Sequence, residues 1–436
     1  MKKYLALLLV LVMVLSLAAC ASKPAETTDE PEQTTPVPAP AEETKDEEPA
    51  PAEETKEEEP TEEPADNTEY AVAMITDSGD ITDQSFNQTT YEACKAFCEA
   101  NGVDFNYFKP TGDSDAERIA QVEAAIDEGY NVIVMPGYAF GGAIVEAAPE
   151  FPDVKFIALD VAKGDLLEAG VAKAGESYDY NPDNWDLEKY VDMSNVYCAI
   201  YQEELCGYMA GYAAVKLGYK SLGFLGGMAV PAVIRYGYGF VQGVDAAAAD
   251  LGLFDVTVKY VYGGQFFGDA DITAVMDTWY ANGTEVVFAC GGGIYTSAVD
   301  AAKKVGAKVI GVDVDQAGVI ANYAGVDGLT VTSAMKGLYP ATYDTLNDVI
   351  INGNWANYVG KIATLGLVSA DDPEANYVQI PMGEGTQWSD SFTQDDYKAM
   401  VADMYNGVIT VSNDISKTAS DFATVITVDD QGAIKG

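Results

Sequence analysis

The chain has 436 residues, a length typical of two or three domains, and 48% of them are hydrophobic, which is enough for ordinary cores. Its 69 acidic residues against 24 basic ones give a net charge of −45, which excludes a groove that follows a nucleic-acid backbone. The sequence contains no histidine, which excludes imidazole metal ligands and every nucleophile that histidine would activate. We therefore expect a protein that is not an enzyme and that has no metal and no cofactor.

The N-terminus has the pattern of an export signal. Two lysines are followed by an apolar run from Tyr4 to Leu15 and by small residues before Cys20. The ending LAAC resembles a bacterial lipobox, in which the cysteine is lipidated. We predict a signal peptide over residues 1–19, lipidation at Cys20 and a position on the extracytoplasmic face of the cell membrane. The alternative is an ordinary export signal with an incidental cysteine.

Residues 20–69 are rich in proline and acidic residues and contain the near-repeat PAPAEETKDEEPAPAEETKEEEP. Such a composition offers too little apolar surface to form a core, and its like charges repel. We therefore predict that Cys20 is followed by a disordered acidic stalk, which separates the folded body from the membrane.

From Tyr70 onward, short β-branched or aromatic runs alternate with stretches of helical period, which is typical of a parallel sheet covered by helices. Eight strands are predicted in two sets of four, over residues 70–76, 104–108, 131–135 and 155–159, and over 221–225, 257–261, 285–289 and 308–312. Helices are predicted over 88–101, 116–128, 201–217, 237–251 and 295–305. The pattern predicts an α/β fold with two doubly wound lobes.

Small and acidic residues follow the carboxyl ends of these strands, where open parallel sheets bind their ligands. Asp77, Asp160 and Asp313 are three of them, and an ionised aspartate can accept hydrogen bonds from two adjacent hydroxyls of a neutral polyol such as a ribose. The alternative is that each serves a turn or a helix cap. A glycoside-cleaving pair of Asp77 and Asp313 is conceivable, but it depends on their separation.

Aromatic and glycine residues lie in the same loops. Phe86, and the neighbours Phe266 and Phe267, offer flat faces on which a heterocycle could stack, although core packing is the alternative for each. The triplet 291–293 would let a ligand approach the backbone closely. No phosphate-binding GxxxxGK[ST] loop and no GxGxxG after a strand occurs in the sequence.

Several ordered motifs carry a family resemblance across residues 70–436. The most specific is DQSFNQ at residues 83–88, which is similar to a D-[KQ]-S-F-N-Q signature. Further matches are NVIVMPG at 131–137, FIALD at 156–160, GYMAG at 207–211, IGVDVDQ at 310–316 and TSAMK at 332–336. The chain resembles the basic membrane protein (BMP, PnrA-like) family, the lipoprotein substrate-binding components of nucleoside ABC transporters.

The resemblance implies a type I periplasmic-binding-protein fold, with two doubly wound parallel-sheet lobes joined by a hinge. We place an N-terminal lobe at residues 70–195 plus 330–366 and a C-terminal lobe at 196–329 plus 367–436. It also implies a nucleoside ligand, an ABC transporter permease as partner, a membrane anchor through Cys20 and a monomer. A sugar or other small-metabolite receptor, or a ligand-sensing surface module, is the alternative.

Carried onto matching positions, the resemblance implies a set of ligand-binding residues. Phe86 and Phe267 would enclose a purine base, although Phe266 is adjacent. The remaining residues implied are Asp77 and Asp160 at the base edge, Asp313 and Lys336 at the ribose hydroxyls, Gly292 through its backbone, and Asn87, which either contacts the ligand or caps the helix that follows. An aromatic-rich insertion at residues 161–194 could cover the mouth of the cleft or alter selectivity.

Overall fold

A computed structural model describes residues 69–77 and 79–435. The predicted signal peptide, Cys20 and all of the predicted stalk except Glu69 lie outside these residues. Within the described part of the chain, no helix combines the length and the apolar character needed to cross a bilayer.

Strands and helices alternate along most of the described chain. The strands are β1 Ala71–Ile75, β2 Asp104–Phe108, β3 Val132–Pro136, β4 Lys155–Leu159, β5 Val196–Tyr201, β6 Ser221–Gly226, β7 Thr257–Tyr262, β8 Val286–Cys290, β9 Lys308–Asp313, β10 Thr330–Lys336, β11 Lys361–Leu365, β12 Val378–Gln379 and β13 Thr427–Ala433. The helices are α1 Phe86–Asn101, α2 Asp115–Asp127, α3 Gly141–Glu150, α4 Lys163–Lys173, α5 Leu187–Tyr190, α6 Glu203–Lys216, α7 Pro231–Leu251, α8 Ala270–Ala281, α9 Tyr295–Val305, α10 Ala317–Ala324, α11 Leu338–Leu346 and α12 Gln394–Tyr405.

The strands form two sheets, which confirms the predicted α/β fold with two doubly wound lobes. The first sheet has the order β11-β5-β4-β3-β1-β2, and the second has the order β12-β10-β9-β8-β6-β7-β13. Neighbouring strands run parallel, apart from the antiparallel pair of β10 and β12. All eight predicted strands are present, each with bounds within one residue of the prediction. Helix α7 begins at Pro231 rather than at residue 237, because proline is favourable at the first helical position.

Each sheet is covered by apolar side chains on both faces. In β1, Val72 and Met74 belong to one buried cluster, whereas Ala73 and Ile75 belong to the cluster on the other face. This alternation follows from the two-residue repeat of a strand, and it explains why the central strands read as continuous apolar runs.

The two sheets divide the chain differently from the predicted lobe boundaries. Strand β5 pairs with β4 in the first sheet, so the boundary placed between residues 195 and 196 is wrong and lies after Tyr201. Strand β10 pairs with β9 in the second sheet, although residues 330–366 were assigned to the N-terminal lobe. Both strands end where the chain crosses between lobes, and their composition does not indicate which sheet each one joins.

Three connections cross between the sheets, and backbone hydrogen bonds join them. The Gln202 amide donates to the Leu365 carbonyl at 2.9 Å, and the Tyr377 amide donates to the Gly366 carbonyl at 3.0 Å. The Gly337 amide donates to the Tyr377 carbonyl at 2.7 Å. These short crossings are the places where a hinge motion between the lobes would concentrate its change in backbone angles.

Helices α6 and α7 pack closely because glycines line their contact. A Cβ atom at Gly207 or Gly211 of α6 would overlap the α7 backbone at Tyr236 or Phe240. The close approach brings the start of α6 and the first turns of α7 to the edge of the second sheet, next to the carboxyl ends of its strands.

Candidate functional site

A cavity lies between the carboxyl ends of the two sheets. It has about 720 Å³ of empty space, part of it open to solvent. Its lining comes from both lobes and comprises Asp77, Gly79, Asp83, Phe86, Asn87, Gly137, Tyr138 and Asp160 from the first, and Val230, Ala232, Val233, Tyr236, Phe266, Cys290, Gly291, Gly292, Val312, Asp313 and Lys336 from the second. Within the described residues, no three cysteine, aspartate or glutamate side chains converge as a group that could hold a metal ion.

The structure brings seven of the eight residues predicted as ligand contacts to this cavity. They are Asp77, Phe86, Asn87, Asp160, Gly292, Asp313 and Lys336. Phe267 is the exception, since 61% of it is exposed and it does not line the cavity, whereas Phe266 does. The placement of Phe267 in the site is therefore wrong. Adjacent residues of an extended segment point in opposite directions, so only one of the two rings can face the cavity.

Glycines make room for the Phe266 ring. A Cβ atom at Gly227 would overlap the ring, and one at Gly291 would lie 2.8 Å from it. The Gly293 amide donates to the Phe266 carbonyl at 2.9 Å, which fixes the backbone of that residue. The glycine triplet thus supports an aromatic side chain, in addition to leaving backbone exposed to the cavity at Gly292.

A buried group of charges surrounds Lys336, whose side chain is 3% exposed. Its ammonium contacts the carboxylate of Asp160 and lies 3.6 Å from Glu203 Oε1 and 3.8 Å from Asp313 Oδ1. Burial alone would lower the pKa of Lys336, but the three carboxylates together raise it above its usual value. The lysine is therefore charged at neutral pH. Glu203 is paired on its other side with Arg235 at 2.6 Å.

Two of the aspartates have left-handed backbone conformations. Asp160 has φ of 59° and follows β4, and Asp313 has φ of 64° and ends β9. This region is unfavourable for a residue with a side chain, and such conformations cluster at functional sites. Asp160 Oδ1 is also buried and accepts no hydrogen bond from the described residues. The backbone of Asp160 and of Asp313 is thus held in an energetically unfavourable conformation, and both residues line the cavity.

Asp313 connects the two lobes. The Ser85 hydroxyl, at the start of α1, donates to Asp313 Oδ2 at 2.5 Å, and the Tyr236 hydroxyl of α7 donates to Oδ1 at 3.2 Å. Sequence reasoning did not identify either residue as part of the site, although Ser85 lies inside the DQSFNQ motif. Gln316 adds a second contact between the lobes, since its side-chain amide donates to the Gln84 carbonyl at 3.1 Å.

The side chain of Asn87 lines the cavity, but it is engaged by other residues. Its amide nitrogen donates to Asp77 Oδ1 and to Asp83 Oδ2, both at 3.0 Å. Both amide hydrogens are thus used, since a side-chain amide has two. Asp83 in turn accepts from the backbone amides of Asn87 and Gln88 at 3.0 and 3.1 Å. This geometry orients Asp77, and direct contact between Asn87 and a ligand stays a prediction.

The Asp77 carboxyl is poised to titrate within the physiological range. Burial raises its pKa to about 6, while hydrogen bonds from Gly79 and Asn87 act in the opposite direction. The nearby carboxylates of Asp83 and Asp113 add a smaller upward contribution. Asp77 is therefore largely ionised at neutral pH, and is an acceptor of hydrogen bonds there.

The stability difference between the unchanged protein and Asp77→Asn is expected to depend on pH. In the folded state Asp77 keeps its proton up to about pH 6. The unfolded chain releases it near its reference pKa of about 3.9. The folded state thus binds more protons between these values, so the stability contributed by Asp77 falls as pH rises from about 4 to about 6 and is constant above. Urea denaturation of both proteins across this range measures the effect, and a constant difference would contradict it.

The aromatic-rich insertion does not line the cavity. None of residues 161–194 belongs to its lining, and a role at the mouth of the cleft stays a prediction. The insertion forms α4 and α5, and its aromatic side chains pack on one another, with the Tyr178 and Trp185 rings 5.7 Å apart and the Trp185 and Tyr190 rings 5.5 Å apart. These ring contacts are thus made within the insertion itself.

Comparisons with known proteins agree with this architecture. A nucleoside-binding protein of an ABC transporter, BmpA of Lactococcus lactis subsp. cremoris, is 27% identical over 262 residues, which cover 57% of this chain and 65% of that protein, just under two thirds. An uncharacterised lipoprotein of Pyrococcus abyssi is 24% identical over 320 residues, 70% of this chain and 69% of that one.

Among solved structures, a solute-binding protein of an ABC transporter system from Aeropyrum pernix K1 superposes with a TM-score of 0.56 at 20% identity, and the match covers 81% of this chain and 90% of that one. This likeness supports the fold. The model of the ABC transporter substrate-binding, PnrA-like family matches residues 70–380, well over half of the chain. The chain therefore belongs to the Bmp family of PnrA-like ABC transporter substrate-binding proteins.

Proposed function

We propose that the protein captures a nucleoside, preferentially a purine nucleoside, between its two lobes and delivers it to an ABC transporter permease. The observation that carries this proposal is one cavity lined by an aromatic ring from each lobe, Phe86 and Phe266, and by four aspartates. Flat apolar faces suit a base, and carboxylates suit hydroxyl groups. The name of the Lactococcus relative, which states nucleoside binding, supports the same ligand class.

The base would stack between Phe86 and Phe266. The Lys336 ammonium lies 4.6 Å from the centroid of the Phe86 ring, so the base would take the opposite face of that ring. Asp77 would accept hydrogen bonds from N–H groups on the base edge, because it is largely ionised at neutral pH. A purine offers a larger stacking area than a pyrimidine, which is the basis of the preference.

The ribose would lie against the buried charges. Asp313 and Asp160 present carboxylate oxygens, and Asp160 Oδ1 has no partner among the described residues. Lys336 would donate to a hydroxyl oxygen while its positive charge offsets the carboxylates around it. Because a nucleoside is neutral, its affinity is expected to depend only weakly on salt.

Replacing Phe266 with alanine is expected to weaken nucleoside binding by about tenfold, since loss of one stacking surface costs on the order of 1–3 kcal/mol. Phe267→Ala is the matched control, because the two residues are adjacent and of one type, yet the Phe267 ring is exposed. Calorimetric titration of both variants with guanosine and adenosine measures the difference. Equal losses in the two variants, or a larger loss in Phe267→Ala, would contradict the assignment of Phe266 as the stacking ring.

Capture would be coupled to closure of the lobes. A ligand that touches both lobes binds the closed form more tightly, and it therefore shifts the population towards closure. The contacts of Ser85 with Asp313 and of Gln316 with Gln84 would form as the lobes meet. Lipidation at Cys20 would hold the protein on the extracytoplasmic face of the cell membrane, near the permease.

Delivery and sensing make different predictions in cells. If the protein delivers its ligand, deleting it abolishes uptake of labelled nucleoside, and the full chain restores uptake while a Cys20→Ala variant restores less. A ligand-sensing surface module would instead leave uptake unchanged. A sugar receptor would be recognised by binding of pentoses or hexoses in place of nucleosides.

A further inference from the structure

The loop that carries Phe266, residues 263–269, is held from two sides. On the side of the cleft, the Gly293 amide donates to the Phe266 carbonyl at 2.9 Å. On the outer side, the loop meets the residues that follow β13. There the Ile434 amide donates to the Tyr262 carbonyl at 2.8 Å, directly before the loop begins. The loop that carries Phe266 thus has contacts outside the cavity as well as within it.

Lys435 makes the outer contacts of this loop. Its ammonium contacts the carboxylate of Asp269 and donates to Gln265 Oε1 at 3.2 Å. The Gln265 amide nitrogen donates in turn to the Phe267 carbonyl and to Asp269 Oδ2, both at 2.9 Å. The Lys435 and Asp269 side chains are 34% and 26% exposed, so the pair is partly shielded from water. One lysine therefore fixes the side chains on either side of the two phenylalanines.

Asp269 extends this connection to a helix. Its Oδ1 accepts hydrogen bonds at 3.0 Å from the amides of Asp271 and Ile272, in the first turn of α8. The backbone hydrogen bond from Ile272 and the Lys435 ammonium hold the pKa of Asp269 at about 2. The aspartate is thus ionised at neutral pH. Through this side chain, the loop is connected both to α8 and to Lys435, which follows β13.

Strand β13 lies beyond the region that matches the family model. The match ends at residue 380, whereas β13 covers Thr427–Ala433 and pairs in parallel with β7 along the edge of the second sheet. The family-matched region therefore lacks the lysine that supports the Phe266 loop. In this chain, residues outside the matched region contact the loop that carries Phe266, and the Phe266 ring lines the cavity.

We infer that Lys435 is a positioning residue for the ligand cavity, because its bonds to Gln265 and Asp269 keep the loop in the conformation that turns Phe266 inward and Phe267 outward. The inference rests on the proposed function only for its effect on nucleoside affinity. Its effect on the loop itself is independent of any ligand. The segment around β13 thereby influences how the Phe266 ring is presented to a stacked base, although the segment itself does not contact the ligand.

The test compares Lys435→Ala with the unchanged full chain in two measurements. Hydrogen exchange of the ligand-free protein is expected to become several-fold faster in the loop 263–269. Affinity for guanosine and adenosine is expected to fall about threefold, the size of one partly exposed ion pair. Lys435→Arg is expected to restore both values. Because Lys435 acts through Phe266, its removal is expected to cause no further loss of affinity in a Phe266→Ala background.

Lys220→Ala is the matched control. Lys220 pairs with Asp255 at 3.0 Å and directly precedes β6, at the end of the sheet opposite the cavity, so its removal is expected to change neither measurement. Unchanged exchange in the loop, unchanged affinity, or an equal loss with and without Phe266 would overturn the inference. If the unchanged protein bound no nucleoside, the proposed function would fail, and the exchange data would still decide whether Lys435 holds the loop.

Discussion

Replacing Lys336 with methionine is expected to destabilise the fold by about 3–5 kcal/mol, the cost of removing one partner from a buried ion pair. The lysine is 3% exposed and lies among the carboxylates of Asp160, Glu203 and Asp313. Without its charge, Arg235 is the cation that pairs with this group, through Glu203. Three acidic side chains would then share one positive charge in a site shielded from water. Urea denaturation at neutral pH measures the change.

Two further variants show whether charge is the cause. Lys303→Met removes a lysine of a pair with Asp300 in which both side chains are 36% exposed, and it is expected to cost no more than about 1 kcal/mol. Adding Asp160→Asn to Lys336→Met removes one uncompensated charge, so part of the lost stability is expected to return. Equal stability of Lys336→Met and the unchanged protein would show that the buried charges do not depend on the lysine.

Asp313→Ala is expected to weaken nucleoside binding by about a hundredfold or more. Hydrogen bonds to a charged group contribute on the order of 1.5–3 kcal/mol each, and a carboxylate can bind two adjacent hydroxyls of a ribose. The substitution also removes the acceptor for the Ser85 hydroxyl, which joins the two lobes at 2.5 Å. Both effects act on the closed, ligand-bound form. Calorimetric titration with guanosine measures the loss.

Asp315→Ala is the matched control for this prediction. Asp315 lies two residues further along the chain but is exposed and does not line the cavity, so its removal is expected to leave affinity unchanged. Thermal unfolding of both variants without ligand separates an effect on binding from a loss of folded protein. Equal affinities of Asp313→Ala and the unchanged protein would show that the ribose is held elsewhere.

The central part of each sheet was predictable because its strands are buried on both faces. Buried parallel strands are continuous apolar runs between loops, and the central strands β3 and β8, which are buried throughout, have this character. The edge strand β2 is mostly exposed, and its aromatic residues rather than a continuous apolar run indicated it. Strand β13 lacks both features, since most of its residues are exposed and its sequence is TVDDQGA. With one valine, one alanine and no aromatic residue, β13 offers no hydrophobic pattern that its sequence could reveal. The same limit applies to β12, which has two residues.

The site was predictable where function depends on residues at the carboxyl end of a strand. Asp313 ends β9, Asp160 directly follows β4 and Asp77 lies two residues after β1, and the rule that ligands bind at the carboxyl ends of parallel strands brings them together. The choice between Phe266 and Phe267 depends on the direction of one loop residue. That direction follows from the hydrogen bond between Phe266 and Gly293 and from the space that glycines leave, neither of which has a local sequence signal.

Contacts between distant parts of the chain were beyond sequence reasoning. Ser85 and Asp313 are 228 positions apart, and Lys336 and Asp160 are 176 apart. No periodicity or spacing relates such pairs, because the two residues of each pair belong to different lobes and meet only in the folded chain. The strand ends supplied Asp160 and Asp313 as candidate ligand contacts and the family resemblance supplied Lys336, and the structure adds that all three belong to one buried group of charges.

Calorimetric titration of the full chain with guanosine, with guanine and with ribose tests the central claim most directly. If the base stacks on Phe266 while the carboxylates hold the ribose, the nucleoside binds far more tightly than either fragment, since both halves of the cavity contribute at once. Tight binding of ribose or of a hexose, with no binding of guanosine or adenosine, would contradict the account and would identify a sugar receptor with the same fold.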